Sequence, residues 1–460
     1  MQTNESNEIV PMVFAGAIAC ALLASVTVTY TRSSRLRPIL RPTTRRRILR
    51  SGVTSSSPRI VSRMRVERPL SVSLLVPLEY DADEGAYMMR LGIGRGLVSC
   101  VLDSGSAHIT VKGSSCQWTN CYVTETAARK KVMNIEGGKV SRSPKGEYCI
   151  LRPCPCGRDR FGRWLSDCHD RSYTPSAGAE ALRGGGLSRE LAYGSQTNTV
   201  DHFLETISVM DAKGVAHALQ SAVVYQITKV DGDTSSNIVG MTMELRPSNT
   251  HNKTFLGAVP TTAWTCELLD ANPVLDLFGN SARVPPDAVS LPLIDIANER
   301  GTKGLAKSNV LFYTTRLLAI GVTHPDQTTE WWEDDNRTDK FPRYVVFDTG
   351  TTNSYSDDVL GPELRRRLHW REVDGEVLHF RFEDGKTLSW RFQDMIDPDG
   401  VPGVTRGRVS ALHCENKRTY PGFREMFYGT YFIMIGIRMM RNRAWRHDIG
   451  NMTLQTWALT

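Results

Sequence analysis

Two short stretches of this 460-residue chain carry an aspartate in nearly the same setting, SCVLDSGSAH at 99–108 and VVFDTGTTN at 345–353. In each, an apolar run of strand type ends on the acid, Asp103 or Asp348, which is followed by a hydroxyl residue, a glycine and a second hydroxyl residue. One Asp-Ser-Gly alone is ordinary turn material, because all three residue types favour tight bends. Two copies, each closing an apolar strand, form an internal repeat that calls for a shared purpose. Carboxyl groups brought close together cannot both ionise, so they share a proton. One acid can then act as base toward a bound water while the other donates to a carbonyl oxygen. Such a pair titrates as a unit, and the proton is assigned to neither residue. Gly105 and Gly350 let the backbone turn and aim an amide at the carboxylate. Ser104, Ser106, Thr349 and Thr351 supply hydroxyls that can fix the carboxyl rotamers.

Holding two acids in register requires strands around them, and the sequence supplies many. SVSLLVPL at 71–78, AYMMRLGIGRG at 86–96, HFLETISVM at 202–210, QSAVVYQITKV at 220–230, NVLFYTTRLLAIGV at 309–322 and RYVVFD at 343–348 all read as strands. Gly92, Gly94 and Gly96 lack the following helix that a dinucleotide-phosphate site needs. From Leu378 to Phe392 the pattern is a hairpin: Leu378, Phe380 and Phe382 alternate with polar residues, Asp384 and Gly385 make the turn, and Leu388, Trp390 and Phe392 alternate back. Only 357–368, DDVLGPELRRRL, reads as helix. Trp331, Trp332 and the acids after them read as a surface loop. The stretch from about 122 to 190 is polar, glycine rich and cysteine bearing, and reads as an insertion. The fold class expected is mostly β.

With these motifs in place, the chain resembles the pepsin family of aspartic peptidases over about residues 75–460. AYMMRLGIGRGLVSCVLDSGSAH resembles that family's first strands and first active loop, with Ser104 where threonine is usual. LAYGSQTNTVDHFLETISV resembles its flap hairpin, with Tyr193 and Gly194 in the places of the flap tyrosine and glycine. NIVGMTM, with Gly240, and FIMIGIRMM, with Gly436, resemble the elements that cross behind each active loop. The Leu378 to Phe392 hairpin and AWRHDIGNMTL also resemble segments of the second lobe. The resemblance implies a bilobal fold with a cleft between pseudo-symmetric lobes, Asp103 and Asp348 as the catalytic pair, and Ser104 and Thr349 gripping each other across the lobes. Ser106 and Thr351 would support the carboxylates, Tyr193 would close over substrate, and Cys116 and Cys121 fall where relatives carry a small disulfide loop. Thr110 stands where the family usually has a tryptophan that bonds the flap tyrosine, and Ile437 stands where many relatives have aspartate. The insertion faintly resembles that of nepenthesin-type members.

Composition sets the frame for this reading. Hydrophobic residues make up 40% and charged residues 23% of the chain, ordinary for a folded protein. The net charge of +7 is local: residues 31–70 hold twelve arginines against Glu67, and residues 71–460 come to −2. A near-neutral folded region carrying one basic run lacks the footprint of a nucleic-acid binder, and none is expected as partner. Residues 10–30 are free of charge and about long enough to span a bilayer, so 1–30 is expected to be a signal peptide or transmembrane anchor. The arginines after it would by the positive-inside rule keep the following domain cytoplasmic. Ten cysteines suggest an oxidising compartment if several of them pair, and the sequons at Asn252, Asn336 and Asn451 are compatible with it but add little. A lumenal or extracellular setting is the expectation adopted, because the basic stretch can also be a prosegment whose arginines pair with acids of the enzyme. The basic run, 31–74, then reads as linker or prosegment, followed by an N-terminal lobe at 75–260 and a C-terminal lobe at 261–460. Cys149, Cys154, Cys156, Cys168 and His169 are too tightly spaced for a usual zinc site, and disulfides are favoured. No metal or organic cofactor is implied.

The function expected is endopeptidase cleavage of an extended polypeptide, held by backbone hydrogen bonds in the manner of an added strand. The alternative is a silent protease-like domain serving as a membrane-attached binding module. One chain supplies both acids, so a monomer suffices.

Overall fold

The computed structural model describes residues 73–81, 85–132, 139–154, 172–182, 189–193, 196–232, 237–244, 254–259, 261–279, 283–295, 310–334, 341, 343–357, 360–371, 373–395, 412–415 and 432–459. The chain is mostly β and bilobal. Among the described residues an eleven-stranded sheet carries the first lobe, an eight-stranded sheet the second, and a six-stranded sheet is built from the ends of both.

Each aspartate sits at the end of a strand with a parallel neighbour. In the first lobe Gly96–Asp103 runs antiparallel to Ala86–Ile93 and parallel to Ile238–Gly240, which places Gly240 beside Asp103. Ile238–Gly240 also pairs antiparallel with Ile109–Tyr122, the strand that leaves the loop after Asp103. The second lobe repeats the scheme. Tyr344–Phe347 runs parallel to Phe432–Ile435, with Phe347 beside Ile435, and Phe432–Ile435 pairs antiparallel with Ser354–Asp357. The run into each acid, Cys100–Asp103 and Tyr344–Phe347, is buried on both faces, which is why it reads as continuously apolar rather than alternating.

The hairpin forms with Leu378 opposite Trp390 and Phe380 opposite Leu388, all four buried. Its second strand stops at Arg391, and Phe392 opens a short 3-10 helix while staying in the core. Gly385 takes a positive φ of 78° at the turn, a conformation that costs glycine little. The helix foreseen at 357–368 spans Leu360–Leu368. Trp331 and Trp332 lie in the strand Thr329–Glu333, not in a loop. Alternation turns Trp332 into the core, edge-on to Phe341, and lays Trp331 over Gly321 beneath the Arg381 guanidinium.

The six-stranded sheet takes the order Leu75–Pro77, Val274–Asp276, Ala263–Glu267, Arg443–Asp448, Thr453–Ala458, Val289–Pro292. It joins strands that lie far apart in the chain and presents Trp264, Trp445 and His447, all fully buried, toward the two aspartate-bearing loops.

The cysteine pairing differs from the small loop that the family resemblance implied. Cys116 bonds Cys154, and Cys121 bonds Cys149. Cys116 and Cys121 share the extended strand Ile109–Tyr122, where five residues span about 16 Å. A disulfide bridges Cα atoms no more than about 7 Å apart. Tyr148–Pro153 lies antiparallel on that strand with Cys149 directly opposite Cys121, so each cysteine meets a partner across the sheet. The bridges thus staple part of the insertion to the lobe. Within it Glu125–Val132 forms a helix, with Thr124 Oγ1 accepting from the Ala127 amide and Ala128 buried in a small core with Trp118, Ile150 and Val223. The bonded cysteines lie 38 and 28 positions apart in the chain. Replacing Cys121 and Cys149 by serine is expected to cost about 2–4 kcal/mol, read from urea unfolding midpoints under non-reducing conditions.

Among the described residues no helix is long and apolar enough to cross a membrane. The apolar run at 10–30, the basic run up to residue 72, Gly184–Gly186, Gly194, Cys156, Cys168 and His169 all lie outside the described residues.

Candidate active site

Asp103 and Asp348 are fully buried, and each carboxyl lies against the glycine of the opposite loop, Asp103 against Gly350 and Asp348 against Gly105. Their immediate surroundings match residue for residue. The Gly105 amide donates to Asp103 Oδ1 and the Gly350 amide to Asp348 Oδ1, each at 2.8 Å. Ser106 Oγ donates to Asp103 Oδ2 at 2.5 Å and Thr351 Oγ1 to Asp348 Oδ2 at 2.7 Å. Every carboxylate oxygen therefore has a donor from its own loop, which fixes both rotamers before any ligand arrives.

Ser104 and Thr349 tie the loops together. The Ser104 amide donates to Thr349 Oγ1 at 2.9 Å, and the Thr349 amide donates to Ser104 Oγ at 2.8 Å. Each hydroxyl passes the bond on, Ser104 Oγ to the Phe347 carbonyl at 3.0 Å and Thr349 Oγ1 to the Leu102 carbonyl at 2.7 Å. Four bonds thus cross between lobes within two residues of the acids. Thr349→Val keeps the shape but strands the Ser104 amide and the Leu102 carbonyl in a dry interior. The expected loss is about 1–3 kcal/mol in chemical denaturation, with a matching loss from Ser104→Ala.

The electrostatics follow from burial. Removal from water raises Asp103 well above the ordinary carboxylate range, and the charge of Asp348 pushes it the same way against the bonds from Ser106 and Gly105. Burial also raises Asp348, opposed by the bonds from Thr351, Asp103, Gly350 and Gly105. The physical result is a pair that keeps a shared proton to higher pH than an exposed carboxylate would. Such a pair can keep one carboxyl charged and the other protonated.

No protein-family model matches this chain, and no curated protein matches it. Among solved structures it is similar to the crystal structure of aspartic proteinase from Irpex lacteus, with a TM-score of 0.51 and 12% identity over 85% of this chain and 98% of that one. The chain has the fold of a pepsin-like aspartic proteinase. In that fold the residues singled out from the sequence around Asp103 and Asp348 come together in one place. Tyr193 ends the strand Arg189–Tyr193, which folds back on Gln196–Met210 with Tyr193 opposite Gln196, and Gly194 lies outside the described residues. Thr110 is buried between Tyr225 and Ile238 in the sheet. Ile437 is buried directly behind the second loop, its amide donating to the Thr351 carbonyl at 2.7 Å.

Sequence reading passed over Tyr313, which lies beneath both loops, because within NVLFYTTRLLAIGV an aromatic residue is indistinguishable from core filling. The Leu102 and Phe347 carbonyls are likewise invisible as sequence, being backbone. Among the described residues the one close group of metal-type donors is Cys121, Glu147 and Cys149, and two of its three sulfur and oxygen donors are spent in a disulfide.

Proposed function

We propose that this chain is an aspartic endopeptidase in which Asp103 and Asp348 activate a water between them for attack on a peptide carbonyl. The observation that carries the reading is the pair itself: two buried carboxyls, each held by one amide and one hydroxyl of its own loop. A binding module has no use for two desolvated acids, whose burial costs stability at neutral pH. In the reaction one carboxylate takes a proton from water as it attacks, and the protonated partner donates to the carbonyl oxygen as it becomes tetrahedral. The same pair then returns a proton to the leaving amine. The substrate is a polypeptide lying extended between the lobes, paired by its backbone to the hairpin that contains Tyr193. Bulky apolar side chains on either side of the cleaved bond are the preferred partners of such a cleft.

Two nested disulfides suit an oxidising compartment and support a lumenal or extracellular setting. Residues 1–30 are proposed as the targeting or anchoring segment that brings the domain there.

The test is cleavage of a peptide library by the full chain across a pH series, after an acid step to release any blocking N-terminal segment. Cleavage that is fastest below neutral pH and blocked by a pepstatin-type inhibitor is the expected result. A folded protein that cuts nothing from acid to neutral pH would reject the enzyme reading in favour of the binding module.

A further inference from the structure

We propose that Tyr313 is a positioning residue that locks the two aspartate loops to one another from beneath. Its hydroxyl donates to the Met241 carbonyl at 2.6 Å, and the Met241 amide donates to the Asp103 carbonyl at 2.6 Å. Its own carbonyl accepts from the Phe347 amide at 3.0 Å, one residue before Asp348. Phe347 in turn gives its carbonyl to Ser104 Oγ. One side chain of the second lobe therefore closes a ring of bonds: Tyr313, Met241, Asp103, Ser104, Phe347 and back to Tyr313.

The anchor of this ring is the six-stranded sheet. Trp264 Nε1 donates to Tyr313 Oη at 3.0 Å, so the phenol oxygen both accepts and donates. The Tyr313 ring meets Trp264 edge-on at 5.8 Å and His447 at 4.3 Å, and His447 stacks flat on Trp264 at 3.7 Å. Trp445, two residues before His447 on the same strand, packs against the Phe347 ring at 5.0 Å. The titratable groups facing Tyr313 are His447 and Cys266. Burial holds the imidazole well below its usual range and pushes the thiol up, so both stay uncharged while the aspartates titrate. The phenol is also pushed up by burial and stays protonated. The hub is thus a fixed, neutral clamp, and its sequence-dependent part is one hydroxyl.

A role for Tyr313 in catalysis depends on the protease activity proposed above, whereas its hold on the two carboxyls does not. The experiment reads the carboxyls directly. Tyr313→Phe fills the same volume but leaves the Met241 carbonyl without its donor, freeing the turn that carries Asp103. The aspartate carboxyl carbons are followed by 13C NMR across pH, with assignment from the Asp103→Asn and Asp348→Asn variants. In the wild type two well-separated steps are expected; in Tyr313→Phe the steps move together as the carboxyls part and influence each other less. With a peptide substrate, kcat is expected to fall about tenfold with KM changed less than about twofold. Tyr87→Phe is the control, since it removes another buried tyrosine hydroxyl, bonded to the Leu269 carbonyl at 3.1 Å, that reaches neither loop. It should lose stability with both titration steps unmoved.

Wild-type steps in Tyr313→Phe would overturn the proposal. A wild type that cuts no peptide would sink the protease reading and leave this titration test intact. Should Tyr313→Phe not fold, amide exchange in the wild type decides: the Met241 and Phe347 amides must open together, at the slowest rate in the protein, and separate rates for the two would equally overturn the proposal.

Discussion

Asp348→Asn is expected to lower kcat for peptide cleavage by at least about a thousandfold while leaving a folded protein. The amide can neither take a proton from water nor return one, and the partner acid alone cannot serve both roles. The same substitution should change how stability depends on pH, and the sign follows from the raised carboxyls. In the unfolded chain aspartate titrates near about 3.9. In the fold the pair holds its proton to higher pH, so above that value the native state binds more protons than the unfolded one. The stability this contributes is fully present below the unfolded value and is lost as pH rises through the folded values. Asp348→Asn removes one of the two charges to be buried, so the variant should gain on the wild type between acid and neutral pH. His447 works the other way. Its folded value is depressed by burial, so the unfolded chain takes up protons first and stability falls as pH drops below about 6.5. Urea midpoints for the wild type and Asp348→Asn at several pH values check the first sign. A gain for the variant that did not grow from acid to neutral pH would mean that the two carboxyls are not desolvated.

What could be read from sequence was whatever is local. The strand that runs into each acid, the glycine two residues on and the two flanking hydroxyls lie within five residues of one another, and their contacts follow directly from that spacing. The Leu378–Arg391 hairpin was equally legible, because its alternation and its Asp384–Gly385 turn specify register without outside help. Non-local pairing left no such trace. Nothing in LVP at 75–77 announces Val274–Asp276 as its partner, and nothing in AWTCE at 263–267 announces Arg443–Asp448. The joint beneath the dyad, including Trp264, Tyr313 and His447, was therefore missed as a unit although each residue was in plain view. Disulfide pairing failed for the same reason. Cys116 and Cys121 are neighbours in sequence, yet an extended strand carries them apart and brings Cys149 and Cys154 across from them. The helix Glu125–Val132 was hidden by the polar composition around it, since its fully buried Ala128 is too small to set an apolar period.

Gly350→Ala carries the other large expected effect. A β-carbon at 350 would collide with Asp103 Oδ1 and lie 2.5 Å from its Cγ. At 105 a β-carbon would lie 2.5 Å from both Cγ and Oδ2 of Asp348, so each glycine clears the space that the opposite acid fills. Neither carboxyl can step aside cheaply. Asp103 is held by the Gly105 amide and Ser106 Oγ, and its backbone carbonyl is held by Met241. The added methyl must therefore push the loops apart or break these bonds, at about 1–3 kcal/mol of stability for overpacking. A displacement of about 1 Å at the reacting groups costs on the order of a hundredfold in rate, which sets the smallest loss expected in kcat. Gly96→Ala is the matched comparison. It lies at the start of the strand that ends at Asp103, and a β-carbon there meets nothing within 4 Å. Its kinetics and unfolding midpoint should equal those of the wild type. Because the clash at Gly350 is with the partner acid rather than with its own, a Gly350→Ala variant of normal activity would show that the two carboxyls do not meet at the closeness on which the proposed chemistry depends.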